Sequence, residues 1–108
     1  MNFFNIFFGK SRNKKIPNKP YRVKEYNVTK HCVDDMNARK ITKGEVYVNL
    51  TTKPIHVTQI KYDEAGRPSY RRSSINKITT AINPNNNNVT SVNRLHTKTY
   101  IKIMKGKK

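Results

Sequence analysis

The chain has 108 residues, of which 34% are hydrophobic, so it is large enough for one small domain with a modest core. It carries 23 lysines and arginines against 6 acids, and the formal net charge of +17 indicates a polyanionic partner, either a nucleic acid or an anionic membrane. The single cysteine excludes an internal disulfide and a thiolate metal cluster. The three histidines show no short ligand spacing, so we expect no metal and no cofactor.

The charges are unevenly distributed along the chain. All the acids lie between residues 25 and 64, so both ends are purely cationic. A codon bias towards lysine and asparagine is the alternative explanation of the high charge, but it does not by itself account for this asymmetry. The distribution therefore favours contact with a polyanion.

Residues 1–24 are predicted to form an extension, apolar and aromatic over residues 1–9 and cationic afterwards. The apolar part is shorter than the roughly 20 residues of a membrane span, and it precedes its positive charges, which is the reverse of a secretory signal. We therefore expect a cytoplasmic protein. Three interpretations of residues 1–9 stay open: the segment docks on the domain, it results from a wrongly assigned start, or it inserts into an anionic membrane surface.

Two short helices are predicted next. Thr29 is a favourable N-cap residue, and Cys32 and Met36 follow it on one apolar edge, where the cysteine serves as a small packing residue. Thr42 and Glu45 have the spacing of a capping box, which begins a second helix. The region up to residue 50 therefore predicts a helix, a short break and another helix.

The same region carries a resemblance to a known family. The spacing T-x-H-x4-M-x2-R-x-I-T over residues 29–42 resembles the opening of the bacterial domain-of-unknown-function family numbered 4258, whose usual form is S-x-H or S-H followed by R-M-x-x-R-G-I-[ST]. That family is similar to the barnase, EndoU, colicin and RelE superfamily of small α+β ribonuclease toxins. The resemblance implies RNA as the partner, metal-independent cleavage as a reaction, and a cognate antitoxin or immunity protein as a second partner. Asp35 stands where the family often has arginine.

Alternating β-branched residues and turn signals follow the helices. The predicted strands are residues 55–62, 69–74, 78–82 and 89–94, with turns at 63–68 and 83–88, and residues 95–103 extend the last strand or add another. Residues 105–108 are predicted to be a basic tail. The sequence thus predicts a single α+β domain over residues 25–104, with two short N-terminal helices packed on an antiparallel sheet of three to five strands.

Four residues are candidates for catalysis. Cleavage of RNA without a metal requires a base, an acid and a cation that holds the phosphate. His31 is the first candidate for base or acid, and Arg39 for the phosphate clamp. The resemblance implies that polar residues of a late strand face the helix, so Thr90 and His96 are included. The alternatives are that His31 only packs or caps its helix, and that Arg39 is a helix C-terminal charge that covers the core.

A basic surface is predicted on and around the strands. Its residues are Arg67, Arg71, Arg72, Lys77, Arg94 and Lys98, with Tyr62 and Tyr70 interleaved. Residues 65–108 contain no acid, which favours contact with phosphates over a merely solvated strand face. We therefore expect an RNA-binding protein. Whether it also cleaves RNA as a toxin-type endoribonuclease is left open by the sequence. A non-catalytic nucleic-acid-binding module is the alternative, and a protein of anionic membrane surfaces is the third.

Overall fold

The computed structural model describes residues 16–106. This part of the chain contains three helices and seven strands. In chain order they are β1 (Tyr21–Val23), β2 (Tyr26–Val28), α1 (Lys30–Arg39), α2 (Lys43–Thr51), β3 (His56–Val57), β4 (Lys61–Tyr62), β5 (Pro68–Ser73), β6 (Ile78–Asn83), β7 (Asn88–Arg94) and α3 (Thr97–Gly106). The membrane-insertion hypothesis for residues 1–9 falls outside the described residues.

The strands form a mixed sheet. Six of them follow the order β1-β2-β7-β6-β5-β3, and β4 pairs with the first residues of β5, while β3 pairs with its last residues. All neighbours are antiparallel except β2 and β7, which run parallel with Asn27 opposite Asn88 and Val28 opposite Val89. The long β5, β6 and β7 therefore form the centre, and the short strands form the edges.

The helices α1 and α2 begin where their caps predict. Thr29 Oγ1 accepts the Cys32 N–H at 3.2 Å, and α1 is followed by the C-cap residue Lys40, which adopts a left-handed conformation with φ of 57°. In α2, Thr42 Oγ1 accepts the Glu45 N–H at 3.1 Å, and Glu45 Oε1 accepts the Thr42 N–H at 2.9 Å. These reciprocal bonds satisfy two backbone donors at the helix start, which confirms the predicted capping box.

The predicted fold class was correct as α+β but wrong in its details. The sheet has seven strands and one parallel pair rather than three to five antiparallel strands, and a third helix lies at the C-terminal end. Strands β1 and β2 have three residues each, which is too short for an alternating pattern to show in the sequence. Residues 95–103 were expected to extend the last strand or to add another, but residues 97–106 form α3, because their apolar residues and their lysines recur with a helical period that the β-branched composition obscured.

The hydrophobic core lies between α1, α2 and one face of the sheet. Its residues are Val23, Val28, Cys32, Val33, Met36, Ile41, Val46, Leu50, Ile78, Ile82, Val89 and Val92. The core is formed mainly by small aliphatic side chains, as the low hydrophobic content predicts. Burial, with the nearby Asp35 carboxylate adding to it, raises the pKa of the Cys32 thiol to about 12, so this cysteine packs as a neutral apolar group.

The opposite face of the sheet, here the second face, is polar. Residues Ile78 and Ile82 of β6 point into the core, so Thr79 points the other way, and residues paired across strands share a face. The residues placed on the second face in this way include His56, Arg71, Ser73, Thr79 and Asn93. Among residues 16–106, none of the helices combines the length and the apolar character that crossing a membrane requires.

Candidate nucleic-acid interface

The four predicted catalytic residues lie in two separate places. His31 and Arg39 are on α1, and His31 meets Thr90 near the start of β7, whereas His96 follows the other end of that strand. Six residues separate Thr90 from His96, which corresponds to about 20 Å of extended chain. A single phosphodiester cannot contact both histidines at that separation. The structure therefore does not bring His31 and His96 together as an acid and base pair.

The α1 site is an exposed histidine beside a neutralised ion pair. His31 Nδ1 lies 2.8 Å from the Thr90 carbonyl oxygen, so Nδ1–H donates to it, and the Nε2 lone pair is left facing solvent. The same nitrogen is 3.8 Å from Asp35 Oδ2, and Arg39 binds the other oxygen of Asp35 at 3.0 Å. The imidazole is thus chemically competent as a base, but the charge of Arg39 is balanced within α1.

A cavity of about 590 Å³ opens on the second face, between the sheet and α3. We call it the α3 cleft. The residues that line it and matter most for its chemistry are His56, Arg71, Thr79, Asn93, His96 and Ile103, and none of the lining residues is acidic. A concave polar surface of positive charge focuses the electrostatic potential and attracts anions.

The floor of the α3 cleft is a row of polar residues that crosses four strands. His56 is opposite Ser73, Ser73 is opposite Thr79, and Thr79 is opposite Asn93. The two buried hydroxyls of Ser73 and Thr79 bond each other at 2.9 Å. This register brings His56 of β3 and His96 after β7 to the same cavity. The sequence alone does not indicate His56 as a site residue, because its neighbours on other strands are unknown until the strand pairing is known.

Arg71 differs from the other arginines of the described residues. Within residues 16–106 its guanidinium makes no hydrogen bond and no ion pair, although its backbone N–H donates to Thr58 Oγ1 at 2.9 Å. The guanidinium groups of the other five all have partners in the protein: Arg22 with the Lys24 carbonyl, Arg39 with Asp35, Arg67 with Asp63, Arg72 with the carbonyls of Asn49 and Thr52, and Arg94 with Glu45 and the Lys40 carbonyl. Arg71 is therefore available to an anion in the cleft.

The other residues of the predicted basic surface are distributed over both faces. Arg72 and Arg94 bind the two ends of α2 on the core side, and Arg67 binds Asp63 in the β4–β5 turn. The backbone N–H of Arg67 and then its guanidinium lower the pKa of that carboxylate. Lys77 Nζ lies 5.1 Å from the centroid of the Tyr100 ring, and Lys98 is exposed on α3. Arg71 is thus the member of the set whose charge lies unpaired at the cleft.

The two tyrosines interleaved with the predicted basic surface have different surroundings. Tyr62 on β4 is 70% exposed and free to stack on a base. Tyr70 is half-buried and packs against the core, where burial and, to a smaller extent, Tyr26 raise its pKa. Of these two tyrosines, Tyr62 is therefore the one exposed enough to act as a stacking platform.

The two histidines of the α3 cleft offer different ring nitrogens. His96 caps α3, because its Nδ1 accepts the Lys98 N–H at 3.2 Å and its carbonyl accepts the Tyr100 N–H at 2.9 Å. An accepting Nδ1 places the proton of the neutral ring on Nε2, so His96 presents a donor. The imidazole of His56 has no hydrogen bond within the described residues, and both of its nitrogens are available.

Potential metal ligands do not cluster in residues 16–106, where no group of three or more His, Cys, Asp or Glu side chains could hold an ion. Imidazole, guanidinium, hydroxyl and amide groups line the α3 cleft. Comparisons of the chain with family models, curated proteins and solved structures found no match to any of them.

Proposed function

We propose that the protein binds RNA, and that the α3 cleft is the centre of its binding surface. The observation that carries the proposal is the unpaired guanidinium of Arg71 at a cavity whose lining contains no acid. Its planar fork suits two phosphate oxygens at once, and a cation already held by a carboxylate would gain less from a phosphate. The net charge of +17 supplies the long-range attraction.

The shape of the site supports a nucleic acid over an anionic membrane. A concave cavity lined by hydroxyl, amide and imidazole groups suits a ligand with its own donors and acceptors, which nucleotides provide. Membrane surfaces are contacted instead through apolar side chains that insert among the lipids. The resemblance of residues 29–42 to a family similar to ribonuclease toxins supports RNA as the nucleic acid.

The binding proposal is tested by fluorescence anisotropy with a labelled single-stranded RNA at several salt concentrations. We expect Arg71→Gln to weaken binding about fivefold to tenfold at low salt and to reduce the slope of log K against log salt by about 0.7. Arg67→Gln is the matched control, because it removes the same charge from an arginine that is bound to Asp63. Equal affinity of Arg71→Gln and the wild type would refute the role of the cleft.

A second function, metal-independent cleavage of the bound RNA, is favoured by the two histidines at the same cavity. His56 removes the proton of a ribose 2′-hydroxyl, and that oxygen attacks the adjacent phosphorus. The bond from phosphorus to the 5′-oxygen breaks, and His96 in its imidazolium form, with Nδ1 protonated in place of its bond from the Lys98 N–H, delivers its Nε2 proton to the departing oxygen and returns to the neutral ring, which leaves a 2′,3′-cyclic phosphate. Arg71 stabilises the charge that develops on the phosphoryl oxygens.

Cleavage is tested by incubating RNA with the protein in the presence of EDTA. General acid and base groups contribute about 10²-fold to 10⁴-fold each, so His56→Gln and His96→Asn should each slow cleavage by at least the lower figure. Asparagine at residue 96 keeps an acceptor for the α3 cap. His31→Gln is the comparison, and we expect it to leave the rate unchanged. A loss of cleavage in His31→Gln alone would show that the reaction takes place at α1. RNA binding without cleavage in the wild type would show that the protein is a non-catalytic binding module.

A further inference from the structure

The α3 cleft has two chemically different walls. The sheet provides the polar wall, with Thr79, Asn93 and Arg71, and the segment of α3 and its preceding loop provides an apolar wall through Leu95 and Ile103. The volume of about 590 Å³ lies within the range of roughly 300–1,000 Å³ that is typical of small-molecule sites. A slot with one apolar and one polar wall suits a flat ligand that has an apolar face and a hydrogen-bonding edge.

Asn93 is placed to contact such an edge. Its side-chain amide lines the cleft and makes no hydrogen bond within residues 16–106. An amide has both a donor and an acceptor, and this pair reads the edges of nucleobases in many complexes. Neighbouring Ser73 and Thr79 are bonded to each other, whereas Asn93 offers a free amide beside the unpaired guanidinium of Arg71.

The helix α3 is attached so that it can adjust to a ligand. No residue of α3 is buried, and within residues 16–106 the polar contacts that attach this helix are the His96 cap and the cation–π contact of Tyr100 with Lys77. Ile103 lines the cleft, whereas Ile101 is 47% exposed and does not line it. The apolar wall can therefore move without disturbing the core, which lies on the other face of the sheet.

We propose that the α3 cleft is a pocket for one unpaired nucleobase, with Ile103 and Leu95 against the face of the base and Asn93 at its edge. The inference rests on the proposed RNA binding and deepens it, because it makes single-stranded RNA the substrate class. Paired bases are held inside a duplex and expose neither a free face nor a complete edge, whereas unpaired bases can be splayed into a pocket. Arg71 then holds the phosphate of the same nucleotide.

The test compares a labelled single-stranded RNA with the same strand annealed to its complement, using the full chain and anisotropy. We expect the single strand to bind at least tenfold more tightly than the duplex at equal salt. Ile103→Ser should weaken single-strand binding about tenfold, the effect of losing one buried apolar contact, and should leave duplex binding unchanged. Ile101→Ser is the matched control on the same helix, and its affinities should stay within twofold of the wild type.

A second variant tests the edge of the base. Asn93→Ala should weaken single-strand binding and reduce differences in affinity among the four homopolymeric RNAs, because a contact that discriminates among bases is lost. Equal affinity for single strand and duplex, or equal weakening of both by Ile103→Ser, would overturn the pocket while leaving RNA binding intact. Failure of the wild type to bind either RNA would overturn the proposed function itself. Circular dichroism melting of each variant verifies that α3 and the core are retained.

Discussion

Asn49 Oδ1 accepts a hydrogen bond of 2.7 Å from Thr80 Oγ1 in the buried interface between α2 and β6. Both side chains are completely inaccessible to solvent. The amide nitrogen of Asn49 donates on the other side, to the Ile78 carbonyl at 2.8 Å and to Ser74 Oγ at 3.0 Å. The Asn49 side chain thereby joins α2 to the central strand β6, beside a core that is formed mainly by aliphatic residues.

Removal of the Asn49 amide should destabilise the fold. Asn49→Ala leaves the Thr80 hydroxyl and the Ile78 carbonyl without this partner in a buried site, and we expect the free energy of unfolding to fall by about 2–4 kcal/mol. The measurement is the urea midpoint followed by circular dichroism. Tyr47→Ala on the exposed side of α2 is the control and should change stability by no more than about 0.5 kcal/mol.

The direct coupling of the two side chains is measured by a double-mutant cycle. Thr80→Val preserves the shape of the residue and removes the hydroxyl that donates to Asn49. The double variant should lose less stability than the sum of the two single variants, by more than about 0.5 kcal/mol. Strict additivity would show that the two residues stabilise the protein independently of each other.

The ends of α1 and α2 were predictable because caps act locally. Thr29, Thr42 and Glu45 form their capping bonds with residues no more than three positions away, so their spacing in the sequence is sufficient. The parallel pairing of β2 with β7 joins residues about 60 positions apart, and nothing local specifies it. The α3 cleft could not be predicted for the same reason, because only the register of the intervening strands brings His56 and His96 to one cavity.

The composition of α3 misled the prediction for a different reason. Residues 97–106 contain threonine, tyrosine and isoleucine, which favour strands, but apolar side chains at 100, 103 and 104 and lysines at 98, 102 and 105 follow the helical period. Helical period and strand composition conflict in this segment, and the period decided the structure. The sequence identified the basic character of the surface, but it could not show that most of its arginines are bound within the protein.

The Glu45–Arg94 ion pair should make stability depend on pH in the acid range. Burial acts to raise the pKa of Glu45, but the Thr42 N–H and the Arg94 guanidinium outweigh it and hold the pKa below the ordinary value of 4.5. Because the folded-state pKa is the lower one, the stabilisation is complete above about pH 4.5 and is lost as the pH falls through the folded-state pKa. Urea midpoints between pH 7 and pH 3 measure this loss.

The Glu45→Gln variant distinguishes the contribution of the Glu45 carboxylate to stability from the general effect of acid on the protein. Glu45→Gln should be less stable than the wild type at pH 7, and the difference should shrink as the pH falls below 4.5, because both proteins then carry a neutral side chain. Glu64→Gln, which removes an exposed carboxylate from the β4–β5 turn, controls for the loss of one negative charge. Parallel profiles of Glu45→Gln and the wild type over the whole range would contradict the assignment.

The Cys32 thiol should be unreactive in the folded protein. Its side chain is completely buried, and burial followed by the proximity of Asp35 raises its pKa to about 12, so the reactive thiolate is scarce at pH 8. Labelling with a chromogenic disulfide reagent should be slow in buffer and rapid in urea, with one equivalent released because the chain has a single cysteine. Rapid labelling of the folded protein would place the thiol, and with it the start of α1, outside the core.

Substitution of Arg71 should affect RNA binding and substitution of Arg72 should affect stability, although the two residues are adjacent in β5. Consecutive residues of a strand point to opposite faces, and Arg72 points to α2, where its guanidinium donates to the carbonyls of Asn49 at 2.8 Å and Thr52 at 2.7 Å. These carbonyls lie at the C-terminal end of the helix, where backbone acceptors lack intrahelical partners. Arg72→Gln should therefore lower the free energy of unfolding by about 1–3 kcal/mol and leave RNA affinity close to that of the wild type.

Arg71→Gln should give the opposite pattern, because its guanidinium has no partner in residues 16–106 and lines the α3 cleft. We expect its urea midpoint to match the wild type and its RNA affinity to fall. The two variants have the same composition and net charge, so a difference in RNA affinity between them reports the position of the charge rather than its amount. Equal weakening of RNA binding by both variants would show that the RNA is held by the overall charge and not by the cleft.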